Sequence, residues 1–263
     1  MTAAQTTTPL AHDDTGGGGK LVVLLPGAGD VRSEHRFLAP ILAGAGYRVV
    51  TADLPGHGES PTSTSYGVGE TASALLDLLD HLHAGPATVV ACSFAPAAAV
   101  WAATERPGAI DGIVMISPHL EAGSGPRDRL LRMALSTLMR GPWAAPLWAK
   151  QIRSWYPSST PADIEDELDK LDAMLSDPAR RRAARETLVA DRDGVAERLA
   201  SLDVPVALVF GSADVHFPDP RAEAESIASR TGATITMIED AGHYPHAERP
   251  EETAAAILEF LRL

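Results

Sequence analysis

The segment Thr88-Val-Val-Ala-Cys-Ser-Phe-Ala-Pro96 decides the fold of this chain, because an apolar strand ends in it and a helix begins. The β-branched residues before Ser93 favour a buried strand. Pro96 and the alanines that follow favour a helix, since proline is tolerated in the first helical turn. So tight a turn holds Ser93 at a positive φ, above the sheet and in front of the free N–H groups of the helix. The spacing therefore predicts an exposed nucleophile at a strand end.

Ser93 is the centre of the motif Ala91-Cys-Ser-Phe-Ala95, which has the form G-x-S-x-G with alanine in place of both glycines. Small residues are needed there because strand and helix approach closely, and alanine is the next smallest choice. By itself the motif is also compatible with an ordinary N-cap serine. Cys92 is the alternative nucleophile, but centring the turn on it puts Val90 and Phe94 at the crowded positions. We therefore predict that Cys92 is a buried apolar residue.

A serine hydroxyl needs a neighbouring base, and the last third of the chain offers a base and an orienting acid. The segment Val204–Phe210 predicts a strand, and the loop after it contains Asp214. The segment Ala233–Ile238 predicts another strand, and the loop after it contains His243. Because parallel strands end at the same edge of a sheet, we expect both side chains to lie near Ser93.

Serine, aspartate and histidine in this chain order, each following a strand, resemble the α/β-hydrolase fold family. The resemblance runs from about Leu21 to Leu263. It includes Leu21–Asp30, which is similar to the family's strand and oxyanion loop, and Asp53–Ser60, which resembles its D-x-x-G-H-G-x-S turn. The family implies an α/β fold with a mostly parallel sheet flanked by helices. It also implies a helical cap inserted before the penultimate strand.

The alternation of strand and helix signals gives about six strands, which we predict at residues 21–25, 47–52, 87–92, 112–117, 204–210 and 233–238. The Thr-, Ala- and Gly-rich region before Leu21 predicts no strand. The extra edge strands that family members often have at their start are therefore expected to be missing. The predicted organisation is a flexible N-terminal segment at 1–20, an α/β-hydrolase core at 21–118 and 203–263, and a helical cap at 119–202.

The resemblance implies a role for each candidate residue. Ser93 would attack a carbonyl carbon, His243 would take and return its proton, and Asp214 would fix the imidazole tautomer. The backbone N–H groups of Ala28 and Phe94 would form the oxyanion hole. The implied function is a serine hydrolase that cleaves a small apolar carboxylic ester, thioester or lactone through an acyl-enzyme. The alternatives are a C–C bond hydrolase or lyase with the same triad, and a non-hydrolytic receptor or biosynthetic catalyst.

Aromatic residues are concentrated in the predicted cap, which contains three of the four tryptophans. Trp143, Trp148 and Trp155 are candidates for an apolar substrate pocket facing the sheet. Packing of the cap onto the core explains them equally well. His119 and His216 follow predicted strands at the same sheet edge, and they are further candidates for the pocket lining.

Composition narrows the class of protein. The chain has 263 residues, of which 45% are hydrophobic, and can bury a substantial core. Its net charge of −13 argues against nucleic acid and anionic membranes as partners. It has no H-E-x-x-H pair, no spaced cysteines and no G-x-G-x-x-G turn, so we predict neither a metal nor a cofactor. A single cysteine and the lack of an apolar leader lead us to expect a cytoplasmic enzyme with a small-molecule substrate. The oligomeric state stays open.

Overall fold

Seven strands form one sheet in the computed structural model, which describes residues 8–121 and 125–262. The sheet order is β1-β3-β2-β4-β5-β6-β7, with β1 antiparallel to β3 and every other neighbouring pair parallel. The six predicted strands are all present, within two residues of their predicted bounds. In chain order the strands are β1 His12–Asp14, β2 Leu21–Leu25, β3 Arg48–Ala52, β4 Ala87–Cys92, β5 Ile110–Ile116, β6 Val206–Gly211 and β7 Thr234–Ile238.

The central strands are apolar because helices cover both faces of the sheet. Strands β2 and β4 are buried along their whole length, which explains why neither alternates between apolar and polar residues. Within β2, Val23 belongs to the hydrophobic cluster on one face, whereas Leu24 belongs to the cluster on the other. The same alternation places Ala91 and Cys92 on opposite faces at the end of β4.

The expectation that no strand precedes Leu21 is wrong. Residues His12–Asp14 form the edge strand β1, although this stretch has no apolar pattern. The edge is stabilised by polar contacts instead, such as the ion pair of 2.6 Å between Arg48 and Asp14. Short, charged edge strands are a common way to end a sheet, and hydrophobic patterning does not reveal them. Residues 1–7 of the segment predicted to be flexible lie outside the described residues.

The helices divide between the two faces of the sheet. The first face is covered by α2, α3, α8 and α9, and the second by α1, α11 and the helices α5 and α6. None of the helices in the described ranges is long and apolar enough to cross a membrane. In chain order the helices are α1 Leu38–Gly44, α2 Val68–Leu82, α3 Ala95–Glu105, α4 Pro126–Leu138, α5 Ala144–Arg153, α6 Ile164–Ser176, α7 Pro178–Leu188, α8 Val195–Ala200, α9 Pro220–Thr231, α10 Pro245–Glu248 and α11 Pro250–Leu261.

Helices α4 to α8 lie between β5 and β6 in the chain and form a helical insertion. One of its helices begins at a capping residue: the side chain of Asp177 accepts hydrogen bonds from the first N–H groups of α7, as an N-cap residue does. The last helix differs from the others, because Val195 and Leu199 of α8 belong to the same hydrophobic cluster as α3. The insertion therefore ends by packing on the core of the fold.

Candidate active site

Ser93 lies in the tight turn between β4 and α3, with a φ of 57°. The positive φ that the sequence predicts is thus confirmed. The backbone around the residue is held from the neighbouring strand, since its N–H donates to the carbonyl of Ile116 at 2.9 Å. Its own carbonyl accepts the N–H of His119 at 2.7 Å. These two hydrogen bonds fix a conformation that is costly for a residue other than glycine.

The positions around Ser93 explain the small residues of the motif. Ala91 and Ala95 are fully buried. A Cβ added to Gly27 would lie 3.2 Å from Cβ of Ser93, so the loop after β2 passes directly against the serine. Cys92 is buried in the cluster on the opposite face from Ala91, as predicted. Burial raises the pKa of the Cys92 thiol well above its usual value, which keeps it protonated and unreactive.

The loop after β2 presents one free amide between two that are occupied. The N–H of Gly27 donates to Oε2 of Glu34 at 2.8 Å, and the N–H of Gly29 donates to Nε2 of His57 at 3.1 Å. Within the described residues, neither the N–H of Ala28 nor that of Phe94 donates a hydrogen bond to the protein. The two amides predicted for an oxyanion hole are therefore both available to a ligand.

The side chains of His57 and Glu34 hold this loop by accepting hydrogen bonds from its N–H groups. Nδ1 of His57 lies 3.0 Å from the carbonyl of Pro55, so Nδ1 carries the proton and Nε2 accepts. Burial lowers the pKa of His57 to about 4, and the ring is neutral at pH 7. Glu34 is also buried, and Nε2 of His246 lies 3.0 Å from its second oxygen. No local motif of the sequence marked Glu34 or His246 as part of the site.

The predicted acid and base are in direct contact. Nδ1 of His243 lies 2.8 Å from Oδ2 of Asp214, and both side chains are buried. The second oxygen of the carboxylate accepts the backbone N–H of His216 at 3.0 Å and lies 3.0 Å from Nδ1 of the same residue. Burial favours the protonated form of Asp214, but the hydrogen bonds from His216 and His243 outweigh it and hold the pKa far below its usual range. The carboxylate therefore stays ionised and orients two imidazoles.

Ser93 and His243 are neighbours of the same residue, His119. Its backbone N–H is bonded to Ser93, and its ring centroid lies 5.6 Å from that of His243. Among the described residues, no hydrogen bond joins Oγ of Ser93 to His243. Contacts between a nucleophile and its base are often longer before substrate binds. The structure thus brings the three predicted catalytic residues to one edge of the sheet.

A cavity of about 520 Å³ opens beside Ser93, under the helical insertion. Four of the five residues predicted for the pocket line it, namely His119, Trp148, Trp155 and His216. Burial lowers the pKa of His119, and the nearby His243 and His216 lower it further; burial also lowers the pKa of His216. Both histidines are therefore neutral at pH 7 and present uncharged nitrogens to the cavity.

The fifth predicted pocket residue, Trp143, does not line this cavity. Its side chain is 52% exposed and folds over Gly141. Trp143 precedes Trp148 by five residues, which on a helix places them about 140° apart. Trp148 faces inward, where its Nε1 donates to the carbonyl of Gly29 at 2.9 Å. The aromatic cluster of the sequence is therefore split between the interior and the surface.

Several lining residues were not identified in the sequence, because most of them come from separate helices of the insertion. Tyr244 also lines the cavity, and its hydroxyl donates to the buried carboxylate of Asp30 at 2.9 Å. The other lining residues that the sequence did not single out are the apolar Leu131, Leu135 and Leu188 and the polar Glu121, Arg132, Gln151 and Arg192. The cavity thus combines an apolar wall with two guanidinium groups.

A second cavity of about 540 Å³ lies on another part of the surface. It is lined by charged side chains such as Arg32, Asp53 and Lys170, and Arg32 is paired with Asp53. None of the three predicted catalytic residues lines it. The chemistry that the sequence predicts is therefore associated with the first cavity.

Among the residues that the structure describes, two groups of side chains have donor atoms close enough to share a metal ion. Each group has its possible ligand atoms within 4.8 Å of one another. The sequence prediction of no metal site relied on local motifs, whereas these residues come from separate segments. The groups are His119, His216 and His243, beside the cavity, and Glu34, His35 and His246, in the interior.

The fold and this site define a class of protein. The family model described as the alpha/beta hydrolase family matches residues 22–256. The chain belongs to the alpha/beta hydrolase family. The predicted fold class is thereby confirmed, and so is the prediction of a hydrolase.

The names of similar proteins state several different activities. The chain is 27% identical over 248 residues to a pimeloyl-(acyl-carrier protein) methyl ester esterase of Neisseria meningitidis serogroup C, covering 92% of this chain and 93% of the relative. It is 28% identical over 270 residues to a 2-hydroxy-6-oxononadienedioate/2-hydroxy-6-oxononatrienedioate hydrolase of Pseudomonas putida, covering 96% and 91%. A thermophilic esterase from Thermogutta terrifontis has a similar fold, with a TM-score of 0.80, 24% identity, and coverage of 96% of this chain and 93% of that structure.

Proposed function

We propose that this chain is a serine hydrolase that cleaves carboxylic esters through an acyl-enzyme on Ser93. One observation supports the proposal most directly. Ser93 has the strained φ of 57° and lines the cavity, as do Ala28 and Phe94, whose N–H groups donate no hydrogen bond within the described part of the protein. An ordinary N-cap serine would not need a strained turn, a second loop packed against it and free donors on both sides.

The acylation step follows from these positions. Oγ of Ser93 attacks the ester carbonyl carbon while its proton passes to Nε2 of His243. The carbonyl oxygen becomes an oxyanion, which accepts hydrogen bonds from the N–H groups of Ala28 and Phe94. The C–O bond to the alcohol then breaks, and the alcohol leaves with the proton from His243. Asp214 keeps the imidazole in the tautomer with Nδ1 protonated, because Nδ1 faces its carboxylate at 2.8 Å.

Deacylation reverses the roles with water as the nucleophile. A water molecule loses a proton to Nε2 of His243 and attacks the acyl carbon. The second oxyanion occupies the same pair of N–H groups, and the proton on His243 returns to Oγ of Ser93 as the acid leaves. The products are one carboxylic acid and one alcohol, and the enzyme is unchanged.

The cavity supports a small substrate with an apolar acyl or alcohol group. Leu131, Leu135 and Leu188 provide an apolar wall, and Arg132 and Arg192 suit a polar or anionic end. An ester is also the substrate in the name of the Neisseria meningitidis relative. We propose that the helical insertion acts as the cap of this pocket. The single cysteine favours a cytoplasmic location.

The proposal is tested by the mass of the intact protein after treatment with a fluorophosphonate probe, which needs no knowledge of the substrate. We expect one adduct per native molecule and none on Ser93→Ala or His243→Ala. Cys92→Ala is the matched control, because it changes the neighbouring residue and should keep the full adduct. An unreactive native protein with a normal circular dichroism spectrum would contradict the proposal and favour a receptor or a non-acylating catalyst.

A further inference from the structure

Three imidazole rings meet where β5, β6 and β7 end. The ring centroids of His216 and His243 are 4.0 Å apart, and that of His119 lies 5.4 Å and 5.6 Å from them. Donor nitrogens of all three lie within 4.8 Å of one another. The ester chemistry proposed above needs only one of the three histidines. A second and a third imidazole at this distance therefore call for a separate explanation.

Asp214 already orients two of these rings in the manner of a metal site. Its two oxygens face Nδ1 of His243 at 2.8 Å and Nδ1 of His216 at 3.0 Å. Both Nδ1 atoms are thereby occupied, and each ring has Nε2 left for a ligand. Histidines that bind metals usually donate their other ring N–H to a carboxylate in this way. A single carboxylate that prepares two histidines is more than hydrolysis requires.

The site formed by the three histidine rings is also accessible to an ion from the cavity. His119 and His216 line the cavity of about 520 Å³, and the ring centroid of His243 lies 4.0 Å from that of His216. The group formed by Glu34, His35 and His246 differs, because it is fully buried and none of the three lines this cavity. Of the two groups, the one beside the cavity is the better candidate for an exchangeable ion.

We propose that His119, His216 and His243 bind a divalent transition-metal ion such as Zn²⁺, and that the bound ion inhibits the hydrolase. The ligands are three imidazole nitrogens with Asp214 behind two of them, and water completes a tetrahedral site. Zn–N bonds of about 2.0–2.1 Å require nitrogens about 3.3 Å apart, so the three rings have to move closer together to bind the ion. Imidazole nitrogen is a preferred ligand for Zn²⁺, whereas Mg²⁺ and Ca²⁺ prefer oxygen.

Inhibition follows from the identity of one ligand and rests on the proposed function. When Nε2 of His243 is bonded to the ion, it cannot take the proton of Ser93, and acylation slows. Arg192 opposes binding by its charge, since its Nε donates to the carbonyl of His119 at 2.8 Å. The carboxylate of Asp214 directly contacts the rings of His216 and His243 and favours a cation. The site therefore acts as a metal-sensitive switch on the catalytic base.

Direct binding is measured by titrating the metal-free protein with Zn²⁺ in a calorimeter, which does not depend on activity. We expect one ion per chain. His119→Ala and His216→Ala should each weaken binding at least about ten-fold, and Asp214→Asn about 10–100-fold. His81→Gln changes an exposed histidine outside the site and should bind as the native protein does. His246→Gln removes a member of the buried group and should also keep native affinity.

The same samples are then treated with the fluorophosphonate probe, with and without Zn²⁺. Protection of Ser93 by one equivalent of Zn²⁺, lost in His216→Ala, would support the proposal. If native protein binds no Zn²⁺, or if only His246→Gln loses binding, the proposal is wrong. If Zn²⁺ binds as expected but Ser93 never reacts with the probe, the metal site stands and the proposed hydrolase mechanism fails.

Discussion

Nε1 of Trp148 in the helical insertion donates a hydrogen bond of 2.9 Å to the carbonyl of Gly29 in the loop after β2. The N–H of the same glycine donates to His57. Gly29 is thus held from two sides, one residue after the free amide of Ala28. The helical insertion therefore directly contacts the loop that contains Ala28 of the proposed oxyanion hole, and a change in this contact is expected to alter catalysis as well as stability.

Replacing Gly29 should lower both the stability of the protein and its turnover. Its φ is +80°, and a Cβ there would lie 2.8 Å from Cζ2 of Trp148. We expect Gly29→Ala to lower the free energy of unfolding by about 1–3 kcal/mol through overpacking, in addition to about 1–2 kcal/mol of backbone strain. Displacement of the neighbouring Ala28 amide should lower kcat on the order of 10²-fold. Urea denaturation and steady-state kinetics measure the two effects.

Gly232→Ala is the matched control for Gly29→Ala. Gly232 has a φ of +69°, and a Cβ there would have no atom within 4 Å. The control should show the backbone strain alone and keep native kcat. Equal kcat values for the two variants would mean that the contact between Trp148 and Gly29 does not position the oxyanion loop.

Removing the charge of Asp214 should stop turnover with little change in shape. Asp214→Asn leaves His216 and His243 without a carboxylate and favours the wrong tautomer of the base, so we expect kcat to fall by about 10⁴-fold. Asp203→Asn changes an exposed aspartate before β6 and should keep native activity. Kinetics with p-nitrophenyl esters check both variants. Native turnover in Asp214→Asn would assign the orienting acid to another residue.

Stability should decrease below pH 6.5 because His57 is buried in its neutral form. Burial lowers its pKa to about 4, against about 6.5 in the unfolded chain. Between these values the unfolded chain binds one more proton, so stability is highest above pH 6.5 and is lost as the pH falls towards 4. The loss amounts to about 3 kcal/mol. Urea denaturation at pH 7 and pH 4.5 measures it, and His57→Gln should reduce the pH dependence. An unchanged slope in this variant would contradict the prediction.

The acyl-chain preference should depend on the lining from α4. Leu135 lines the cavity, whereas Leu130 on the same helix is 65% exposed. Leu135→Trp reduces the space, and we expect kcat/KM for the longest accepted p-nitrophenyl ester to fall about 10–200-fold for each methylene that no longer fits. Leu130→Trp adds the same side chain outside the cavity and should leave the profile unchanged. If both variants showed the same dependence of kcat/KM on acyl-chain length, the acyl chain would not bind beside Leu135.

Much of the fold was predictable from local sequence. Continuous apolar runs such as Leu21–Leu25 form buried parallel strands because helices cover both faces, and the positions of Ser93, Asp214 and His243 follow from strand ends. The edge strand His12–Asp14 was missed because pairing and ion pairs stabilise it, and neither is encoded in a hydrophobic pattern. Hydrophobic periodicity in a sequence indicates which residues are buried, and an exposed edge strand buries few residues.

The sequence by itself determined the order of six of the seven strands, the strained turn at Ser93 and the residue types of the predicted triad, because these depend on neighbours along the chain. The tertiary structure alone decided which tryptophans face the cavity, that Glu34 and His57 occupy the amides beside Ala28, and that His119 and His216 join His243. These contacts join residues that are far apart in sequence. Their geometry depends on how the helices pack on the sheet, which no local pattern of residues specifies.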